Sequence, residues 1–430
     1  MTGNKRRAAA LGGTVAAAAA AVPFVGAGDA AAAAFTVTNT NDAGAGSLRQ
    51  AIEDANLAAG PDTITFDSAV TGTILLTTGR LRVNDDLTIT GPGAAVLTVN
   101  GDNSDRVFYL YGGTVQTAVT ISGLTITDGR SNGYGGNIFS RDVDLTLQSV
   151  VVSSGYADNG GGILVGGILG SLVMSDSQVL NNTALYDGGG LFAASSEGGL
   201  LPTAVTPGQG VTIERSVISG NEAMRGDGGG NGGGIYVGTN NGPVLVSETT
   251  IDNNTAFYDG GGIYLSGVAS PVTIDHSTIS NNEALYSDGG GIWAASRYDT
   301  LTVTSSTVSG NTADGAGGGM FLWYGFIRVN ANAVAPTSRV DVEHSTVAAN
   351  SASAGGNIAV IARGLGRVAG QLTVADLTLD HTVVADGAAA NGPDIYDNGF
   401  IAEDFSLVED AAFVPGVGAN NLTGDPQLGA

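Results

Sequence analysis

Residues 253–264 read NNTAFYDGGGIY and residues 281–293 read NNEALYSDGGGIW. An Asn-ending turn leads into a short apolar stretch, an Asp, a run of glycines, and then an aliphatic residue with an aromatic. The phrase recurs as NNTALYDGGGLF at 181–192, GNEAMRGDGGGNGGGIY at 220–236 and GNTADGAGGGMF at 310–321. Repetition at a fixed period marks a solenoid, in which each coil buries its apolar face only against the next. The apolar residue after the glycines serves as a ruler. Ile138, Ile163, Leu191, Ile235, Ile263, Ile292, Met320 and Ile358 fall 25, 28, 44, 28, 29, 28 and 38 residues apart. A basic coil therefore takes about 28 residues, and two coils carry insertions. The second half of each coil is as regular: VTIERSVISGN, VLVSETTIDNN, VTIDHSTISNN, LTVTSSTVSGN and VDVEHSTVAAN. Val, Ile and Thr alternating with polar residues read as strands buried on one face. These features predict an all-β chain, a right-handed parallel β-helix with coils about 4.8 Å apart.

The composition agrees and narrows the function. The chain has 430 residues, 69 of them glycine, with no cysteine and a formal charge of −24. High Gly with few aromatics suits many short strands joined by tight turns. The acidic balance argues against nucleic acid, which demands basic patches, and it would attract divalent cations. Without cysteine there are no disulfides and no thiolate metal sites.

MTGNKRR and the Ala-rich run from Ala8 to Gly26 form a basic and then apolar leader, so 1–34 reads as a secretory signal peptide and the protein as secreted or held at the cell surface. Arg6-Arg7 leaves the twin-arginine route open. Residues 35–70 read as an N-terminal capping module. FTVTNT alternates like a strand, Ser47 is a candidate N-cap for LRQAIEDANLA, Gly60-Pro61 stops that helix, and DTITF follows as a strand. Residues 71–400 read as the β-helix and 401–430 as a C-terminal extension. No stretch beyond the leader approaches the ~18 apolar residues of a membrane helix.

Stacked coils turn sequence columns into physical ladders. Asn182, Asn221, Asn254, Asn282, Asn311 and Asn350 form one column, read as a structural amide ladder. The residue before each is Asn or Gly, suited to a left-handed turn, with Ala349 as the exception. Asp158, Asp187, Asp227, Asp259 and Asp288 form another, with Asp314 displaced. It reads either as Asp bonded to its own turn or as a Ca²⁺ site built from Asp187, Asp227, Asp259 and Asp288. A third column, Phe139, Phe192, Tyr236, Tyr264, Trp293 and Phe321, follows the ruler by one residue and so faces outward. Its members either stack on one another or, through Phe192, Tyr236, Tyr264, Trp293 and Phe321, offer a glycan-binding stripe. Tyr156, Tyr186, Tyr258 and Tyr286 read as a further file beside the Asp column. Insertions at 196–209, 324–338 and 364–371 all follow the glycine-led strand, so they line one flank, where Arg297, Arg328, Arg363 and Arg367 could meet acidic sugars.

Evidence for catalysis is thin, and no catalytic residue emerges. His276 and His344 occupy a slot elsewhere held by Asp176, Arg215, Glu248 and Ser305, which reads as a solvated position. His381 has a similar context. Asp85-Asp86 is a lone carboxylate pair, a weak basis for hydrolysis. Arg225-Gly226-Asp227 spells an adhesion tripeptide, but its Asp belongs to the Asp column.

Four parts of the sequence resemble known families. GSLRQAIEDANLAAGPDTITFD is similar to the N-terminal module of secreted bacterial β-helix proteins of the CSLREA type, with Gly46 where the named cysteine would stand. The NNTA…GGGI repeats resemble those of polymorphic outer-membrane (Pmp-type) proteins. NGPDIYDNGF with DFSLVED and NNLTGDPQLGA resembles the C-terminal part of choice-of-anchor β-helix proteins. VTIDHSTIS resembles the strand motif of pectate lyases, with Thr273 in place of its tryptophan, and the polygalacturonase signatures are missing. The resemblances imply a pectin-lyase-like fold, export, and surface display, adhesion or polysaccharide association. Such chains continue past D-P-Q-L-G toward an anchor; this sequence stops at Ala430. The expectation is a secreted, non-catalytic binding, adhesion or structural module whose partner is a polysaccharide or another cell-surface component. The alternative is a lyase or hydrolase of the pectate-lyase-like class.

Overall fold

The computed structural model describes residues 32–113, 116–194, 210–224, 228–238, 242–268, 270–295, 300–324, 339–362, 376–397, 400–404, 406–409 and 422–423. The leader 1–31, most of the three insertions, Arg225 to Asp227, and Arg297, Arg328, Arg363 and Arg367 lie outside them.

Val, Ile and Thr at every second position favour short strands with one buried face. One coil shows how they wind. The chain passes through Ile263–Ser266 (sheet C), Val272–Asp275 (sheet A), Thr278–Ser280 (sheet B) and the two-residue Glu283–Ala284 (sheet D), then rises to Ile292–Ala295 above its start. Among the described residues the sheets hold 13 (A), 13 (B), 11 (C) and 6 (D) strands, each bonded to its equivalent one coil away. Every pairing is parallel, and crossovers between parallel strands wind right-handed. The ruler holds residue for residue: Ile138, Ile163, Leu191, Ile235, Ile263, Ile292, Met320 and Ile358 are successive Cα partners. It extends back to Phe108 and forward to Ile395. These residues, with Val272, Ile274 and Ile279 and their equivalents, fill one core along the axis.

The three glycines of the repeat serve three purposes, seen at 260–262. Gly260 turns the corner at φ 68°. A Cβ on Gly261 would lie 2.5 Å from the Glu283 carbonyl, so the coils could not approach. A Cβ on Gly262 would lie 3.0 Å from Nδ2 of Asn282, which needs that space. The Asn column is a continuous buried ladder. Each Nδ2 donates to the next Oδ1 at 2.9 Å from Asn182 through Asn221, Asn254, Asn282 and Asn311 to Asn350. Each Oδ1 also accepts the backbone N–H of the preceding asparagine at 2.9–3.0 Å. The residue before each is left-handed as read, Ala349 included at φ 57°.

At the N-terminal end, strands Ala34–Val37 and Asp62–Phe66 are the first two strands of sheet A. Helix Leu48–Ala55 lies between them in sequence, capped by Ser47, whose Oγ accepts the Gln50 N–H at 3.1 Å. It buries Leu48, Ala51, Ile52 and Ala55 against the open first coil. Within the region read as an extension, strands Phe400–Asp404 and Leu407–Val408 continue sheets A and B. None of the described helices is long and apolar enough to cross a membrane.

Candidate functional site

The outer side of sheet C carries the aromatic column. Ring centroids are 4.7 Å apart for Phe192 and Tyr236, 4.9 Å for Tyr236 and Tyr264, and 4.4 Å for Tyr264 and Trp293, with planes within 14° of parallel. Trp293 and Phe321 follow at 6.2 Å. The rings repeat at the coil rise, so each covers its neighbour's face; Phe192, Tyr236 and Tyr264 are half-buried, whereas Trp293 and Phe321, expected to face outward, are buried beneath their neighbours. Leu164 pairs with both Phe139 and Phe192 and interrupts the stack. Below it, Phe139 lies on Tyr109 at 5.0 Å. Small residues two positions on, Ala194, Gly238, Ser266 and Ala295, leave room for the rings to lie along the sheet. A Cβ on Gly238 would fall 2.6 Å from the Tyr236 ring. Toward the C-terminal end, Trp293, Ala316, Phe321 and Ala359 are buried outside the main core, with Tyr264, Trp323 and Tyr396 packed against them. Burial pushes the Tyr264 phenol up to about 12, helped by the charges of Asp259 and Asp187 and opposed by a hydrogen bond with Ser266. Tyr236 is raised by burial and then by Asp187.

The Asp column borders this face, with altered membership. The position before the left-handed glycine is held by Asn159, Asp187, Asn231, Asp259, Asp288 and Ala316 in successive coils. Asp158 stands one residue earlier. Asp227 lies outside the described residues, and Asn231 fills the place assigned to it. Asp314 is two residues from Ala316. Each side-chain oxygen accepts the N–H of its equivalent in the next coil: Asn159 from Asp187 at 3.2 Å, Asp187 from Asn231 at 3.0 Å, Asn231 from Asp259 at 3.2 Å, Asp259 from Asp288 at 3.1 Å, and Asp288 from Ala316 at 2.7 Å. The turn that each Asp serves is thus the neighbour's, not its own. Burial pushes the carboxyls of Asp187, Asp259 and Asp288 upward; the charge of Asp259 adds to the effect on Asp288. Among the described residues no three Asp, Glu or His side chains converge on one point.

The file of tyrosines divides. Tyr156 pairs with Thr183 in sheet D, three residues from the level of Tyr186. Ser287 is an extra residue, so Tyr286 comes to rest against Phe257 at 4.6 Å rather than on Tyr258. His276, His344 and His381 sit at the exposed corner between sheets A and B, in left-handed conformation at φ 46–48°. Asp176, Arg215, Glu248 and Ser305 occupy the same corner at φ 46–53°. The His276 and His381 Nδ1 atoms bond the carboxylates of the preceding residues, Asp275 and Asp380, at 2.7 and 2.6 Å. The rings of His344 and His381 stack at 5.0 Å. Asp86 accepts the Ala118 N–H at 2.8 Å, and Asp85 the Asp86 N–H at 2.8 Å.

Two features escaped the sequence reading. One is a buried hydroxyl ladder just after the histidine corner. The backbone N–H groups of Ser177, Ser216, Thr249, Ser277 and Ser306 each donate to the hydroxyl one coil on, at 3.0–3.2 Å. The other is a group of arginines at the start of the aromatic column. Arg82 is the Cα partner of Tyr109, so carrying the ruler back two coils from Ile138 finds it.

Residues 106–356 match the family model described as the right handed beta helix region. No curated protein matches the chain. Among solved structures, the chain is similar to the A-module of mannuronan C-5 epimerase AlgE4 from Azotobacter vinelandii, at 14% identity and a TM-score of 0.48, over 90% of this chain and 100% of that one. The A-module of AlgE6 from the same organism gives 14% and 0.47 over 90% and 97%. The catalytic domain of GH87 alpha-1,3-glucanase in complex with nigerose gives 12% and 0.38 over 91% and 68%.

Proposed function

The chain belongs to the right-handed β-helix family, and on that premise we propose that it is an exported, non-catalytic binding module whose outer sheet C face holds polysaccharide at the cell surface or in the matrix. The observation that carries this reading is the aromatic column on that face, running from Tyr109 to Phe321 with one break at Leu164. The long insertions all fall in sequence between a sheet C strand and the sheet A strand that follows it. Because ring faces are taken up by neighbouring rings and the phenols of Tyr236 and Tyr264 are largely buried, a sugar would meet the outer edges of the half-buried Phe192, Tyr236 and Tyr264 rings, not a flat platform. The non-catalytic reading is supported by how the acidic side chains are used: Asp187, Asp259 and Asp288 each accept a backbone N–H from the adjacent coil. In this reading Ca²⁺ is an accessory to binding, drawn by the chain's negative charge.

One observation favours the lyase or hydrolase alternative. Asp187, Asp259 and Asp288 are pushed toward the neutral acid beside Tyr236 and Tyr264, as a proton donor to a leaving group would be. Incubation with acidic and neutral polysaccharides, with and without Ca²⁺, followed by size-exclusion chromatography separates the readings. Intact polymer co-migrating with the protein, and weakened by Phe192→Ala in a variant that keeps the parent's far-ultraviolet circular dichroism, is the expected result. New oligosaccharides would overturn it in favour of the enzyme, and no co-migration with any polymer would leave a scaffold.

A further inference from the structure

Three guanidinium groups surround the first ring of the column. The Cζ atoms of Arg80, Arg82 and Arg106 lie 5.6, 5.3 and 6.0 Å from the Tyr109 ring centroid. Arg106 also lies 5.3 Å from the Phe139 ring. These three positive charges are neighbours in a chain whose formal charge is −24, and among the described residues only Arg80 has a carboxylate within ion-pair distance. Nε of Arg80 pairs with Asp105 at 2.8 Å. Nε of Arg106 donates to the Tyr134 carbonyl at 2.8 Å, a neutral acceptor. Among the described residues Arg82 and Arg106 have no carboxylate within ion-pair distance. Burial, and then the charge of Arg80, lower the affinity of Arg106 for its proton, with the charge of Asp105 opposing them, so the repulsion within the cluster is only partly relieved.

The scaffold beneath it is fixed. Arg49 of the capping helix donates to the carbonyls of Gly79 and Arg80 and pairs with Asp42 at 2.7 Å. Asp42 in turn accepts the N–H and hydroxyl groups of Thr77 and Thr78. The strand carrying Arg80 and Arg82 is thus anchored, while among the described residues the Arg82 guanidinium has no hydrogen-bond partner and Arg80 commits its Nε to Asp105. Beside them Tyr111 is 42% exposed, with its ring 6.3 Å from Tyr109. Guanidinium groups recognise planar or tetrahedral oxyanions through paired N–H donors, and an exposed aromatic ring offers the apolar surface that a sugar ring covers.

We propose that Arg80, Arg82 and Arg106, with Tyr109 and Tyr111, form a subsite for the acid group of an acidic polysaccharide, a carboxylate or a sulfate ester, at the N-terminal end of sheet C. The proposal rests on the polysaccharide-binding reading and names its ligand class. An acidic chain laid along sheet C would start with its charge on this cluster and run toward the aromatic edges.

The test is isothermal titration of the full chain with a galacturonate hexamer, its fully methyl-esterified form, a sulfated glucan hexamer and inorganic sulfate. The expected result is that the galacturonate or the sulfated glucan binds and the ester binds at least about tenfold more weakly, the loss of one charged hydrogen-bonded pair. Whichever acid binds identifies the source of the oxyanion. Arg82→Gln should weaken that ligand about tenfold, and Arg82→Lys should restore part of the loss. Arg82 is exposed, so its variants should keep the parent's circular dichroism and melting temperature. Ester and acid binding equally, with Arg82→Gln without effect, would overturn the proposal and leave polysaccharide binding standing. Sulfate alone binding, with no oligosaccharide, would overturn the glycan assignment. A neutral polysaccharide retained while both acids fail would overturn the proposal but not the broader reading, and failure of every glycan would overturn both.

Discussion

Asp259→Asn should make the protein more stable at neutral pH. Asp259 stands between Asn231 and Asp288 in a column where asparagine already serves twice, at Asn159 and Asn231. Its oxygen accepts the Asp288 N–H at 3.1 Å, and an amide oxygen accepts the same bond, as Asn231 does from Asp259 at 3.2 Å. The substitution therefore keeps the ladder and removes a charge. Asp259 and Asp288 sit one coil apart, about 4.8 Å, and two unit charges about 5 Å apart in a medium of effective dielectric about 20 repel by about 3 kcal/mol. Partial protonation and solvent relieve part of this, so the expected gain is about 1–3 kcal/mol. The pH dependence fixes the sign. Burial raises the folded-state pKa of Asp259 above its unfolded value. Between the two values the folded state holds more protons, so this group's contribution is fully present below the unfolded pKa and is lost as pH rises through the folded one. Thermal unfolding of both proteins from pH 4 to pH 8 reads the effect. For a chain of this length 1 kcal/mol moves the midpoint by about 1 °C, so the variant should melt about 1–3 °C higher at pH 7, with the gap closing on acidification. A lower midpoint for the variant at pH 7 would refute the reasoning. If Ca²⁺ then stabilised the parent and not the variant, the carboxylate would be a cation ligand.

Asn282→Gly should cost about 3 kcal/mol or more, because the Asn254 N–H and Nδ2 both donate to its Oδ1 at 2.9–3.0 Å in a dry interior. Adding Gly262→Asn should restore much of that, since Asn357, at the third-glycine position of its own coil, accepts the N–H and Nδ2 of Asn350 at 3.2 and 2.8 Å; unfolding curves of the single and double variants decide it. Gly238→Val should drive the Tyr236 ring off Phe192 and Tyr264 and cost about 1–3 kcal/mol, visible as lost near-ultraviolet circular dichroism with far-ultraviolet signal retained. Asp42 is lowered to about 2: burial pushes it up, but hydrogen bonds from Arg49, Thr78 and Thr77 and the Arg49 charge more than offset that. Its contribution of about 2 kcal/mol is present above the unfolded value and lost as pH falls through about 2, so Asp42→Asn should destabilise the protein above pH 4 and make no difference below pH 2.

The ruler was legible because its residues meet the same environment in every coil, so the same aliphatic answer recurs. The aromatic column was legible from the ruler by period-two alternation, and the stacking of its rings from the coil spacing; what alternation could not say was that Trp293 and Phe321 would be buried at its C-terminal end. The Asp column was misassigned in the coil GNEAMRGDGGGNGGGIY, which has two glycine runs. Asp227 precedes the first, but the left-handed turn is Gly232, in the second. Counting back four residues from the ruler would have found the right set, Asn159, Asp187, Asn231, Asp259 and Asp288. Tyr286 failed for a related reason: Ser287 lengthens one turn, so counts made forward from Asn282 and back from Ile292 disagree by one.

Asn137 and Asn357 show how far the repeat constrains its own exceptions. The ladder position in the coil of Asn137 is Gly155, and in the coil of Asn357 it is Gly387. In each case the amide comes from the third-glycine position instead. Asn137 Nδ2 donates to Asn182 Oδ1 at 3.2 Å and its Oδ1 accepts the Gly129 N–H at 2.8 Å, while Asn357 Nδ2 donates to Asp394 at 2.8 Å. Asn, Asp and Ser side chains that repeat by coil are therefore accounted for by the hydrogen bonds of the stack, even where they would elsewhere suggest a site. The informative residues are departures that the stack does not repay. Arg82 is one: it occupies the aromatic column's place at the first coil, lies with two further guanidinium groups round Tyr109, and has no carboxylate within ion-pair distance among the described residues. The solenoid has no need of that charge, so a ligand is the better account of it.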